Sequence, residues 1–165
     1  MIIPIKEEQD NLRPLHERLT AALEPLTKPG ASPSLGDYEI VLVDDGSRDQ
    51  SMNVLREIAA ADRRVKVVRL RRNYGQTPAL KAGIDHASGD LIATMDGDGQ
   101  NDPRDIVKLL AKLAAPGTKG PALVGGVRTD RQAEGSKRWA SRWANWIRDA
   151  VLKDQCPDTG CGIKV

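Results

Sequence analysis

Short apolar runs alternate along this chain with longer segments whose apolar residues recur every three or four positions, and that alternation constrains the fold more than any other feature. Ile2 to Ile5, Glu39 to Val43, Val65 to Leu70, Leu91 to Met95 and Ala122 to Val127 read as strands. Asn11 to Leu26 carries leucines at 12, 15, 19, 23 and 26, the spacing of an amphipathic helix, with Pro14 tolerable only in its first turn. Ser51 to Ala61, Thr77 to His86 and Pro103 to Leu113 read as further helices, and the Pro-, Gly- and Ser-rich stretch from Thr27 to Gly36 reads as a loop. Strands without polar alternation are buried on both faces. The pattern therefore predicts an α/β fold with a mostly parallel, Rossmann-like sheet flanked by helices.

At 165 residues, 39% hydrophobic and 29% charged, the chain suits one domain with a single sizeable core. A formal net charge of only +2 gives no argument for a nucleic-acid partner, although the basic residues are unevenly placed. Six lie in the ten residues from Arg63 to Arg72, and seven lie between Arg128 and Lys153 against three acids. Each patch is either a solvated face or a meeting point for an anion. Cys156 and Cys161 have neither the Cys-x-x-Cys redox spacing nor nearby histidines for zinc, so reduced thiols in a cytosolic compartment are expected. No run approaches the roughly 18 apolar residues of a membrane span, and a soluble segment is expected. Met1-Ile2-Ile3 makes a very short first strand, and Gly162 to Val165 stops inside what reads as another. Residues 1–165 are thus expected to be one domain, truncated at the C-terminus.

Two apolar runs end on acids: Val43-Asp44-Asp45-Gly46-Ser47 and Met95-Asp96-Gly97-Asp98-Gly99-Gln100. Carboxylates crowded beside a buried strand repel one another unless a cation or a polar ligand lies between them. In open parallel sheets ligands sit outside the carboxyl ends of the strands, so both clusters can converge on one crevice. In the first, Gly46 permits a sharp exit, and Ser47 and Asp49 read as caps of the following helix. A cap needs only one acid, which leaves Asp44 and Asp45 to accept hydrogen bonds from a base or ribose. In the second, Asp96 and Asp98 flank Gly97 and can share a divalent cation, with Gln100 offering a neutral oxygen. Mg2+ or Mn2+ suits such a set, and would stabilise a diphosphate leaving group. A calcium-binding EF-hand loop starting at Asp96 fails, because the chain has Asn101 and Val107 where Gly and Glu are needed. A haloacid-dehalogenase-type phosphatase is weak, since Gln100 stands where Thr or Val is expected and the motif follows the fourth strand. A plain turn stays open for the second cluster taken alone.

Several segments together carry a resemblance: Pro4-Ile5-Lys6-Glu7-Glu8 with Asn11-Leu12, Val43 to Asp49, Arg72-Asn73-Tyr74-Gly75-Gln76, Met95 to Gln100, Gly126-Val127-Arg128, and Asp158-Thr159-Gly160-Cys161. In this order they resemble family 2 glycosyltransferases of the GT-A fold, in the branch of dolichol-phosphate mannose synthase and the bacterial polyprenyl-phosphate sugar transferases. Glu7 departs from the pattern, standing where the family usually has Asn. The resemblance implies that Pro4, Lys6 and Glu8 line the nucleotide pocket and that Val43 and Asp45 hold the base. It implies that Asp96, Gly97 and Asp98, with Gln100, hold metal and diphosphate, and that Arg128 binds the diphosphate or the acceptor phosphate. Asp158 occupies the position usually proposed as catalytic base, beside Asp98 and Arg128 in the chemistry. A polyprenyl monophosphate, with a second pKa of about 6, is already a nucleophile at neutral pH, so Asp158 has little to deprotonate unless the acceptor is a hydroxyl. The segment Arg72 to Gln76 is implied to be a loop beneath the sugar site. There Gly75 permits the turn, and Gln76 or Thr77 caps the next helix.

Trp139, Trp143, Trp146 and Ala150 recur at helical spacing, with Arg138 and Arg142 on a neighbouring flank. They either pack as core or form an interfacial helix over residues 136–152. The expected activity is metal-dependent, inverting transfer from a GDP- or UDP-sugar to a polyprenyl phosphate, in the cytoplasm at a membrane face. A saccharide hydroxyl acceptor, a nucleotidyltransferase and a non-catalytic nucleotide-binding module are the alternatives. A nucleotidyltransferase normally carries a Gly-rich phosphate loop where this chain has Lys6-Glu7-Glu8-Gln9-Asp10.

Overall fold

Three of the apolar runs become parallel strands: β1 (Ile2–Ile5), β2 (Ile40–Asp44) and β3 (Val65–Arg69). The computed structural model describes residues 1–114, 123–126 and 163–165. Ile2 pairs with Val41 and Ile5 with Asp44, while Ile40 pairs with Val65 and Asp44 with Arg69. Side chains alternate across the sheet, and this register sorts them into two cores. Ile3, Ile5, Ile40 and Leu42 face α1 (Leu12–Leu23), α2 (Ser51–Ala61) and α4 (Arg104–Leu113). Ile2, Val41 and Val43 face α3 (Gln76–His86), whose Ala79 joins them.

The helices form where the leucine spacing places them. Leu12, Leu15, Leu19 and Leu23 are the buried stripe of α1, and Ile106 and Leu110 that of α4. One difference is the end of α1: the sequence reads as helix through Leu26, but Glu24–Thr27 is a tighter 3-10 turn. Pro25 has no N–H to continue the ladder and its ring crowds the preceding turn, so the chain tightens while keeping Leu26 buried.

The run from Leu91 to Met95 differs too. Among the described residues it pairs at Thr94 alone, through a parallel bridge to Ile2 and an antiparallel bridge to Lys164. The Ile2 amide donates to Ala93 O at 2.7 Å and the Met95 amide donates to Ile2 O at 3.2 Å. Pairing stops there because Leu91 is exposed on one side and the Asp96-Gly97 turn departs on the other. Beyond it, Gly125 bridges antiparallel to Lys164, with the Val124 amide on Val165 O at 2.8 Å. Spatial order is therefore β3, β2, β1, Thr94, Lys164, Gly125. The chain winds outward from β1 to β3 and then returns to the far side of β1. The point of reversal lies between β1 and Thr94.

Candidate functional site

A reversal of strand order splays the connections on either side and opens a crevice at the carboxyl ends. Here it holds a cavity of about 300 Å3, lined by Pro4, Ile5, Lys6, Glu8, Asp45, Asn73, Gly75, Gln76, Asp96, Gly97 and Asp98. A second cavity, of about 360 Å3, opens at the other end of the sheet beside Met1 and Tyr38 and contains none of the predicted site residues.

The loops after β1, β2 and β3 are joined to one another at this crevice. Asp45 is buried, and its Oδ1 accepts the Tyr74 amide at 2.7 Å while Oδ2 accepts the Gly75 amide at 2.8 Å. Gly46 follows at φ +67, and a Cβ there would lie 2.5 Å from the Arg72 carbonyl carbon and 2.6 Å from the Asn73 nitrogen. Only glycine lets the two loops close. Lys6 Nζ donates to Gly46 O at 2.9 Å and pairs with Glu7 at 3.1 Å. Ser47, read as a helix cap, instead accepts the Glu7 amide on its Oγ at 3.0 Å. Asp49 does serve α2, accepting the Ser51 amide at 3.0 Å, and also accepts the Gln9 amide at 3.3 Å. Burial pushes the Asp49 carboxyl up, but these donors and the Ser51 hydroxyl outweigh it and hold the group below its ordinary value.

The adjacent acids Asp44 and Asp45 point to opposite faces, as strand pleating requires. Asp44 is fully buried on the α1 and α2 side and does not line the cavity. Its Oδ1 accepts the Ser47 amide at 3.0 Å, and its Oδ2 has no hydrogen-bond partner among the described residues, with Arg69 Nε at 3.7 Å. Val43 is likewise buried, in the α3 core, and is absent from the lining. Pro4, Lys6 and Glu8 do line it. Glu8 Oε2 accepts the Asn11 side-chain amide at 2.6 Å, and the Glu8 backbone amide donates to Ser51 Oγ at 3.0 Å.

The second acidic turn is pressed onto β1. A Cβ on Gly97 would lie 2.4 Å from Ile5 Cδ1 and 2.8 Å from Pro4 O, so no larger residue fits without moving the turn. Asp96 Oδ1 accepts the Gln76 side-chain amide at 2.7 Å, and Asp98 Oδ1 accepts the Gln100 backbone amide at 3.0 Å. The Gln100 side chain does not line the cavity. From α1, Arg18 donates to Gly99 O at 3.2 Å and to Asn101 O at 3.1 Å, fixing the far end of the turn. Asp102 then accepts the Arg104 amide at 3.0 Å at the start of α4, and the Arg104 guanidinium holds its carboxyl down to about 2.

The donor set admits a divalent cation that takes oxygen ligands. Among the described residues no group of three or more His, Cys, Asp and Glu side chains could cage an ion. Asp96 and Asp98 supply two hard carboxylates at one cavity, which suits Mg2+ or Mn2+ completed by water and phosphate oxygens. Arg128, Asp158, the cysteines and the tryptophan segment over 136–152 lie outside the described residues. Sequence reasoning missed the contact between Gln76 and Asp96, reading Gln76 as a cap. The signal available was its place at a helix start just beyond a strand's carboxyl end.

The profile described as "Glycosyl transferase family 2" matches residues 1–164. The undecaprenyl-phosphate 4-deoxy-4-formamido-L-arabinose transferase of Edwardsiella ictaluri (strain 93-146) is 40% identical over 99% of this chain and 47% of its own length. The chain thus spans about half the length of the curated relatives it matches. Among solved structures, glucosyl-3-phosphoglycerate synthase from Mycobacterium tuberculosis, bound to uridine diphosphate, aligns with TM-score 0.64 and 19% identity over 99% of this chain and 54% of that one. A mannosyltransferase from Pyrobaculum calidifontis in complex with GDP-Man and Mn2+ aligns with TM-score 0.58 and 22% identity over 79% of this chain and 35% of that one. These likenesses show a GT-A fold. Fold, cavity and the match along the chain agree, and the chain belongs to glycosyl transferase family 2.

Proposed function

We propose that this chain is the donor-binding catalytic domain of an enzyme that moves a sugar from a nucleoside diphosphate sugar to a polyprenyl phosphate, with inversion at the sugar carbon. One observation carries the reading. At the point of strand reversal, Asp45 just after β2 shares a cavity of about 300 Å3 with Lys6 and Glu8 from the loop after β1 and with Asp96 and Asp98. The name of a relative 40% identical over 99% of the chain supports the lipid phosphate acceptor.

The residues divide the donor between them. Asp45 retains a second lone pair on each oxygen and accepts a base N–H or a ribose hydroxyl, with Pro4 and Glu8 beside it. Asp44 and Val43, buried in β2 just before Asp45, do not touch the cavity and serve to hold the strand that delivers Asp45 to it. Lys6 brings a cation to the cavity rim. Asp96 and Asp98 hold Mg2+ or Mn2+, with Gln100 closing the turn through its amide. When bound, the cation neutralises the diphosphate as it leaves. An oxygen of the acceptor phosphate forms the new bond to the anomeric carbon as the bond to the diphosphate oxygen breaks, and that electron pair departs with the nucleoside diphosphate. At neutral pH the phosphate, with a second pKa of about 6, attacks without losing a proton to the enzyme. Arg128 meets the diphosphate or the acceptor phosphate, and Asp158 orients rather than deprotonates.

Among the described residues no helix is long and apolar enough to cross a membrane. Residues 136–152, with three tryptophans beside arginines, are the segment proposed to rest on the cytoplasmic face of a membrane near the lipid phosphate. Incubating the protein with UDP- and GDP-sugars and undecaprenyl phosphate in detergent tests the assignment. A lipid-linked sugar should form, stop with chelator, and fall by about 100-fold or more in Asp98→Asn. Transfer to a saccharide hydroxyl with the lipid phosphate untouched would contradict it.

A further inference from the structure

Resting on the donor site proposed above, we infer that Gln76 is a positioning residue that aims the Asp96 carboxylate at the cation and diphosphate. Gln76 is the first residue of α3, and where that helix starts is fixed independently of Asp96. The Tyr74 and Gly75 amides are both bound by Asp45, and the backbone at Arg72 and Asn73 is packed against Gly46. From this anchored start the Gln76 amide reaches Asp96 Oδ1 at 2.7 Å across the cavity that both residues line.

The choice of side chain suits that task. A lysine in its place would neutralise the carboxylate, and a glutamate would repel it or become a third ligand. The neutral amide orients Asp96 without adding a charge of its own. Partners of this kind around a metal-binding side chain change metal affinity by about 10- to 100-fold when removed. The hydrogen bond also joins the two acidic clusters through one short path, from Asp45 through the Tyr74 and Gly75 amides to Gln76 and Asp96.

Calorimetric titration of UDP and GDP, with and without Mn2+, tests the inference on the wild type, Gln76→Leu, Asp96→Asn and the double variant. Gln76→Leu should weaken the Mn2+-dependent nucleotide affinity about tenfold and lower the metal-free affinity by much less. Gln76→Asn keeps the amide but is one methylene short, and should show the same loss with an unaltered melting temperature. In the Asp96→Asn background, Gln76→Leu should cost nothing more, because its effect runs through that carboxylate. Wild-type affinity in Gln76→Leu, or an equal loss in both backgrounds, would overturn the role of Gln76 alone. Wild-type binding indifferent to both Mn2+ and Asp96→Asn would overturn the donor site itself, and the inference with it.

Discussion

Glu7 sits in the left-handed region at φ 58, in the turn that carries β1 into the cavity. Asn tolerates that conformation through local hydrogen bonding, whereas a long side chain is strained there. The departure from the family's usual Asn was visible in the sequence, and the backbone angle gives its cost. Glu7→Asn should raise stability by about 1 kcal/mol, read from the urea midpoint, since the exposed pair with Lys6 that it removes contributes little. Other residue-level features were legible only in part. That Asp44 and Asp45 would diverge follows from strand pleating, but which of them faces the cavity depends on the side of the sheet that α3 covers. The capture of the Tyr74 and Gly75 amides by Asp45 spans about thirty residues of chain, and no local pattern announces it.

Helices were legible from their stripes, and their approach distances were not. Gly83 faces the sheet from α3, and a Cβ there would lie 2.3 Å from Ile2 Cγ2 and 3.1 Å from Val43 Cγ2. Helix propensity alone favours Ala at this position by about 1 kcal/mol. Because Ile2 is fully buried and cannot swing away, Gly83→Ala should instead destabilise by about 1–3 kcal/mol, seen as a lower urea midpoint with an unchanged slope. Between α1 and the end of α2, His16 Nε2 lies 3.0 Å from Asp62 Oδ2. Burial pushes the Asp62 carboxyl up, but the Arg64 amide and His16 outweigh it and hold the group below its ordinary 3.8. A carboxyl lowered in the folded state stabilises fully above its unfolded pKa and loses that contribution as pH falls through the folded one. Asp62→Asn should therefore flatten the fall in stability below about pH 4, measured by urea midpoints between pH 6 and 3. The apolar run over 91–95 reads as a strand, yet among the described residues it pairs only at Thr94, because an apolar run does not reveal how many partners it meets.

At the scale of the molecule, the α/β class and the convergence of both acidic turns were legible, because apolar runs ending in acids mark strand ends. Strand order was legible only in part: Lys66 and Arg69 mark β3 as a partly exposed edge strand, but the apolar runs of β1 and β2 do not reveal that Thr94 returns to pair beside β1. That return is what sets Asp45 beside Asp96 and Asp98 in one cavity. In this cavity the protein is proposed to bind a nucleoside diphosphate through a divalent cation. Titrating UDP and GDP into the protein with and without Mn2+ tests it most directly. At least one nucleotide should bind more tightly with the cation by tenfold or more, about 1.4 kcal/mol, and the gain should vanish in Asp98→Asn. Affinity that is the same with and without Mn2+, or binding that survives intact in Asp98→Asn, would contradict it.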